Sequence, residues 1–517
     1  MARFIQPDYD QSQWLELSFN QLIEPGTFDH AMFHLVEVRY DDTFLADRFQ
    51  NDYNGRPAIH PKTLLKVLLA GYSRGILSSR KLEEACKHHA RFIALTGGAK
   101  PDHSTIADFV RKLEGELPAI FADVLTVCHE EGLLDGTRFA VDGLKLPADA
   151  SREWSGTFQE LKRKRDKLTK RAKSLLKEHK KRDRRLSKGK AETVRPEIPA
   201  HEKLLAKAAK IDAFLEENEP RKGSSGKEVK SNITDPESSK MPTSKGMVQG
   251  YNAQAVVDDK HQVITAAGLA PGGQDGNVLG ELFEQAADTA EKAGLGKDHY
   301  RGKELLADAN YHSERNLAAC AEAGVDAVIP DPNFRSRDPR HEGRDEHHIQ
   351  PLRPRKGRFT AADFEHDPHT DTWRCPRGQK LVVTQKAARC PSGVFRKYRV
   401  DSDFCSICSL KDKCLNPGST RRTLSVRIEN GRPRCTEMRA KVDTPEGRER
   451  YSRRMGIVEP VFGNIRHAKG MDRFYYRGRK MVGAQWLLYC LVHNIGKIAR
   501  YGKSHAPTTG NELPAAV

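Results

Sequence analysis

Three acids of this chain, Asp142, Asp308 and Glu459, stand where carboxylates could share one reaction. Asp142 lies inside "RFAVDGLKL", and Asp308 closes "KELLADAN". Glu459 lies in "RRMGIVEPVFGNIRHAKG", among Arg453, Arg454, Arg466, His467 and Lys469. Taken singly, each acid reads as a cap, a turn residue or a surface ion pair. Taken together they differ, because acids at strand ends and on an adjoining helix of an α/β sheet can converge on one crevice. Three converging carboxylates repel one another unless they hold cations. Two Mg²⁺ (or Mn²⁺) ions about 4 Å apart are what in-line phosphodiester chemistry uses, one to activate the attacking oxygen and one to stabilise the leaving oxygen.

A second constellation is built from sulfur. Cys375 lies in "RCPRGQK", and "FCSICSLKDKC" supplies Cys405, Cys408 and Cys414. Four thiolates containing a C-x2-C pair suit tetrahedral Zn²⁺; a [4Fe-4S] cluster and unligated thiols are the other two readings. Cys390 and Cys435 could substitute for a member of the set, whereas Cys86, Cys128, Cys320 and Cys490 fall in helical patterns and are expected in the core. The segment "HEGRDEHHIQ", 341 to 350, has histidine spacing that fits no compact site and reads as loop.

The elements that must position these residues are mixed α/β. Residues 1–135 read as helical, with short helices and tight turns that suit a helix-turn-helix-like DNA-binding domain and equally any small helical bundle. Pro61 begins a helix bearing Leu64, Leu65, Leu68 and Leu69, and Ser79 caps a second with Leu82, Ala85 and Cys86. A third opens after Asp102 or Ser104 and buries Ile106, Phe109, Val110 and Leu113. That leaves His103, Ser104, Arg111 and Lys112 as candidate DNA contacts.

Residues 136–150 then form the first strand of a catalytic domain, with Asp142 on it. From 151 to 247 the pattern becomes a basic helical hairpin followed by a Ser-, Gly- and Pro-rich stretch, 221 to 247, that reads as a flexible return linker. Strand and helix runs alternate from 248 to 330, including two β-type runs in 251–270 around Asp258-Asp259-Lys260-His261 and a strand ending at Asp308. Residues 331–440 read as a Cys-rich insertion and 441–501 as closing helices carrying Glu459. Residues 502–517 read as a disordered tail.

Composition bounds the partner. The 517 residues are 37% hydrophobic and carry a net charge of +17. Residues 161–190 alone hold 16 lysines and arginines against Asp166, Glu178 and Asp183, a net of +13. So dense a block attracts a polyanion by counterion release, which makes nucleic acid the expected partner. No secretion signal and no long apolar span is evident, so a cytoplasmic, nucleoid-associated protein without a membrane partner is expected.

Several segments together resemble the DDE transposases of bacterial insertion sequences. "RPAIHPKTLLKVLLAGYSRGILSSRKLEEAC" and "DHSTIADF" look like the family's amino-terminal helical domain, and "VDGLKLPADAS" like its first-Asp segment. "GYNAQAVVD" resembles its hairpin, "LADANYHSERNL" its second-Asp segment and "VEPVFGNIRHAKGMDRFYYRG" its Glu segment. The last resembles a subgroup signature in which Tyr, Arg, Glu and Lys line one helix. Tyr451 and Arg454 each stand one residue further from Glu459 than is usual, and Arg466 replaces the signature Lys.

The resemblance implies a ribonuclease-H-like catalytic fold and Asp142, Asp308 and Glu459 as metal ligands. It also implies Tyr451, Arg454, Arg466 and Lys469 on DNA, and Tyr311 and Asn316 as companions of the second Asp. The implied partners are double-stranded terminal inverted repeats, target DNA and further copies of the chain, in a homodimer or larger synaptic complex. A metal-dependent endonuclease of the same fold without strand transfer, or a catalytically silent DNA-binding repressor, are the alternative readings. On a helical frame Glu459, Gly463 and Arg466 share one face while Val458, Phe462 and Ile465 form a buried stripe. Pro460 disturbs that frame unless Glu459 sits at a helix start or kink.

Overall fold

Pro61 does begin a helix, Pro61–Ser73, at a position where its missing N–H costs nothing, while the His60 side chain accepts the Lys62 N–H at 3.2 Å. Eleven of its 13 residues are buried, so it forms the centre of a helical layer rather than one face of it. Helices Ser79–His88 and His103–Leu113 follow, with Ser78, not Ser79, at the first N-cap. A computed structural model describes residues 18–503 apart from 42, 49–56, 135, 187–199, 224–225, 244–245, 342–358, 391–392, 401–402, 417 and 431. The expected tail from 504 and most of "HEGRDEHHIQ" therefore lie outside the described residues.

Asp102 caps His103–Leu113 by accepting the Ser104 and Thr105 N–H groups at 2.8 and 2.9 Å, and both hydroxyls also donate to it. These donors hold its carboxyl well below the usual range. Asp102→Ala should cost about 1 kcal/mol, read as a lower midpoint in urea unfolding with an unchanged slope. An unchanged midpoint would show that the buried face alone sets this helix.

The chain divides into two compact units. The first holds 1–275, 281–300 and 456–517, and the second holds 276–280 and 301–455.

In the first unit, helix Arg479–Tyr501 packs on Phe28–Arg39, Pro61–Ser73 and Leu117–Glu130, and also on strand Ile264–Leu269. Strand Arg138–Pro147 runs antiparallel to Gly246–Asp258, pairing Asp142 with Ala255. Gly246–Asp258 in turn pairs with Ser239–Thr243 and Ile264–Leu269. The basic hairpin forms as helices Phe158–Leu186 and Ala200–Glu217, its base packed around Leu161, Ile211 and Phe214. Phe214 is the buried member there, and Leu215 beside it is only partly covered.

Where a flexible linker was expected, the described residues of 221–247 carry strand pairing and buried polar side chains. Ser231–Asn232 pairs with Ser155–Gly156, and Ser231, Asn232, Asp235 and Ser238 are all buried. Polar side chains order it: Asn232 accepts the Thr234 and Asp235 N–H groups, Tyr251 OH donates to Asp235 at 2.8 Å, and Gln249 donates to Ser238 at 2.7 Å.

In the second unit, parallel strands Glu304–Ala307 and Asp326–Val328 are joined through helix Glu314–Glu322. The Cys-rich region is a five-stranded antiparallel sheet in the order Thr423–Asn430, Gly393–Val400, Lys380–Cys390, Thr372–Arg374, Glu365–Asp367. Its own small core contains Phe364, Leu381, Tyr398, Val400, Cys405, Leu415 and Leu424. Cys86, Cys128, Cys320 and Cys490 are buried, as their helical patterns require. Among the described residues no helix is long and apolar enough to cross a membrane.

Candidate active site

Asp142 sits mid-strand after the fully buried Ala140 and Val141, and its own side chain reaches solvent. Its Oδ1 accepts the Gly143 N–H at 2.7 Å. Gly143 is required on the opposite face of the strand. A Cβ there would lie 2.3 Å from Gln254 Nε2 and 2.6 Å from Asn252 Oδ1, inside a buried group that both amides form with Asp275. The polar packing thus lies behind the strand, on the face opposite Asp142.

Asp308 follows Glu304–Ala307 and caps the short turn Ala309–Tyr311. Its Oδ1 accepts the Asn310 N–H at 2.9 Å, and its Oδ2 accepts the Asn310 side-chain amide at 3.0 Å. Tyr311 and Asn316 are buried. Asn316 accepts the Leu279 N–H and donates to the Tyr311 carbonyl, so both brace the turn behind the acid. Within the same unit the Tyr451 hydroxyl is raised above its ordinary pKa, chiefly by burial. Arg454 opposes that shift, and the charge of Asp308 adds to it. Tyr451 also stacks edge-on against Phe334, at 5.4 Å between ring centroids. Arg335 acts on the same hydroxyl, a neighbour that the sequence pattern did not single out.

Glu459 lies on helix Arg454–Gly463 and is exposed, while Ile457, Val458, Val461 and Phe462 on that helix are buried. Pro460 stands inside the helix, not at its start. The signature does not line one helix: Tyr451 ends the preceding helix, Pro445–Ser452, and Arg466 lies in a π-helical turn, Asn464–Ala468. The wider turn takes Arg466 off the row through Glu459 and Gly463, yet Ile465 remains buried and Arg466 exposed.

Lys469 departs from expectation. It is only 8% exposed, and burial lowers its ammonium pKa to about 8, so it packs as a core lysine where a surface cation was expected. His103, Ser104, Arg111 and Lys112 are exposed on their helix. His103 is held by Glu83 at 2.7 Å, and Arg111 pairs with Asp108. Asp142 and Glu459 belong to the first unit, and Asp308, Tyr451 and Arg454 to the second.

Cys375, Cys405, Cys408 and Cys414 are all in the second unit. The Cys414 thiol is raised mainly by burial and further by Cys405, Cys375 and Cys408, so the other three sulfurs act on this one. The Gln379 N–H donates to Cys375 Sγ at 3.3 Å, the kind of bond that steadies a thiolate. Among the described residues, no three or more His, Cys, Asp or Glu side chains are arranged as a metal site. Cys390 is exposed on the same sheet, and Cys435 is partly covered on helix Pro433–Val442.

Residues 374–499 match the family described as Transposase DDE domain, and residues 17–112 match Transposase domain (DUF772). The first match takes in the four cysteines, Tyr451, Arg454, Glu459 and Arg466, and the second takes in His103 to Lys112; Asp142 and Asp308 fall between them. No curated protein and no solved structure matches the chain.

Proposed function

Because the chain belongs to the DDE transposases of insertion sequences, we propose that it cuts DNA at the terminal inverted repeats of its element and transfers the freed 3′-hydroxyl to target DNA. The observation that carries this reading is the match of Transposase DDE domain across Glu459, an acid held in solvent by a helix whose other face is buried. Asp142, Asp308 and Glu459 are assigned to hold two Mg²⁺ (or Mn²⁺) ions, on a catalytic portion of ribonuclease-H-like design. Supporting that design are the antiparallel pairing of the Asp142 strand and the parallel strand pair whose first member Asp308 follows.

Bound there, the ions would activate the attacking water or 3′-oxygen and neutralise charge on the leaving oxygen. The chain's own residues do the rest. Gly143 N–H and the Asn310 amide groups orient Asp142 and Asp308. Arg454 and Arg466 supply cations for phosphate, and Tyr451 braces Arg454 beside Asp308. Cys375, Cys405, Cys408 and Cys414 are assigned to a structural metal centre, Zn²⁺ before [4Fe-4S]. Two element ends must be joined, so a homodimer or larger synaptic complex is the working form.

The test uses a plasmid carrying the gene with its native flanking DNA, purified protein, Mg²⁺ or Mn²⁺, and mapping of the product ends. Discrete cuts at the flanking repeats followed by joined products support transposition. Cuts that are never joined would make the chain an endonuclease, and binding without cutting would make it a repressor.

The basic hairpin is assigned to the DNA backbone. Exposed Lys162, Lys170, Lys173 and Lys177 lie on its first helix. Changing all four to Gln should flatten the slope of log affinity against log salt by about 3.6 if each holds one phosphate, near 0.9 per phosphate contact. Fluorescence anisotropy across a KCl series reads this directly. An unchanged slope would remove the hairpin from the DNA interface.

A further inference from the structure

Pro460 leaves a specific gap in the helix that carries Glu459. An α-helical N–H at 460 would bond the carbonyl of residue 456, and proline has none to give. The Gly456 carbonyl is not left to water alone: the Gln262 side-chain amide donates to it at 2.9 Å. The turn so closed, 456 to 460, is the one that contains Glu459.

Gln262 is itself held on every side. It lies in the turn between Gly246–Asp258 and Ile264–Leu269 with φ +61, a conformation that L side chains rarely adopt. Lys497 Nζ donates to its Oε1 at 3.0 Å, and His493 Nε2 lies 2.9 Å from its backbone carbonyl. The His493 Nδ1 lies 3.2 Å from the Asn464 side chain at the start of the π-helical turn after Glu459. Asn494 accepts the Ile264 N–H at 2.9 Å and donates to its carbonyl at 2.7 Å, fixing the same β-turn to helix Arg479–Tyr501. His493 is buried, with its pKa lowered to about 3 by desolvation, so it stays uncharged in this network.

We propose that Gln262 is a positioning residue for Glu459: it supplies the hydrogen bond that Pro460 cannot, and it fixes the tilt of the turn that presents the carboxylate. This rests on the reading of Glu459 as a metal-binding acid. A carboxylate whose turn can tilt binds metal more weakly and reacts more slowly, without any change in the residues that touch DNA.

The experiment uses the full-length protein on the plasmid with native flanks, measuring single-turnover cutting across an Mn²⁺ titration. Gln262→Gly removes the amide while suiting the left-handed backbone, and Gln262→Glu keeps the length and the Lys497 contact but replaces the donor with an acceptor. Each should cut about five- to tenfold more slowly and need more Mn²⁺ for half-saturation, with DNA affinity and thermal midpoint held. Pro460→Ala restores an N–H for Gly456, so the Gln262→Gly, Pro460→Ala double variant should cut like Pro460→Ala alone.

Additive losses in the double variant, or Gln262→Glu cutting at the wild-type rate and Mn²⁺ requirement, would overturn the proposal. If Pro460→Ala is itself inactive, the Gln262→Glu comparison decides. Glu459→Gln is run beside them. If it cuts normally, the metal-binding reading of Glu459 falls and this proposal with it; if it does not cut while the Gln262 losses are additive, only the role of Gln262 falls.

Discussion

Asp142→Asn, Asp308→Asn and Glu459→Gln are each expected to lower metal-dependent cutting at the element ends by about 10³-fold or more, with little change in DNA affinity. Metal-assisted stabilisation of a phosphodiester transition state amounts to several kcal/mol, and every 1.4 kcal/mol is tenfold in rate. The substitutions isolate charge from shape. Asn at 142 can still accept the Gly143 N–H, and Asn at 308 can still accept the Asn310 N–H, so the strand and the turn keep their caps. Glu459 is exposed beside a buried stripe that Gln leaves untouched. Residues that hold one pair of ions act as a unit, so any double variant should be no slower than the slowest single one. End-mapped cutting rates set against anisotropy-measured affinities check this. A single variant that cuts within tenfold of wild type would remove its acid from the trio, and cutting at the wild-type rate by all three would remove the metal mechanism.

The helix starts were legible because the signals are local. Pro61 and Asp102 act within one turn of where they stand, and the apolar spacing of Ile106, Phe109, Val110 and Leu113 needs no partner to be read. The strand around Asp142 and the β-runs of 251–270 were legible for the same reason. What failed to show is what depends on residues far along the chain. The stretch 221–247 has a linker's composition, yet Asp235 and Ser238 are ordered by Tyr251 and Gln249. Lys469 reads as a surface cation, and only the fold reveals that it is buried. In the Cys-rich region the β-type run "GVFRKYRV" was masked by its basic residues: Arg399 is exposed, and Arg396, on the same strand face as the buried Tyr398 and Val400, pairs with Asp371. Gln262 carries no pattern at all. Its partner Gly456 is 194 residues away, and Pro460 was the single clue that a carbonyl there would need a donor.

Cys405→Ser or Cys408→Ser is expected to strip a bound metal from the purified chain and to unfold the five-stranded sheet at a much lower temperature. The sheet's core is small, seven buried residues of which Cys405 is one, and Trp373, Cys375 and Cys414 pack against it. A core of that size leaves little margin over the entropy of ordering so many strands. On the proposed reading a bound metal would supply a further tie, because the binding free energy of a site absent from the unfolded chain is folding free energy. Loss of one thiolate from a four-sulfur site should therefore cost several kcal/mol, against about 1 kcal/mol for a buried free Cys changed to a similar small side chain. Cys390→Ser is the control: Cys390 is exposed and its thiol donates to the Gly393 carbonyl at 3.4 Å, a bond a serine hydroxyl can also make, so metal content and thermal midpoint should hold. Elemental analysis of the wild type then separates the two metals, one zinc per chain without colour or several irons with a brown chromophore. If the wild type carries neither after anaerobic purification, and Cys405→Ser shifts the midpoint no more than Cys390→Ser, the four thiols are core residues and the sheet is held by its apolar packing alone.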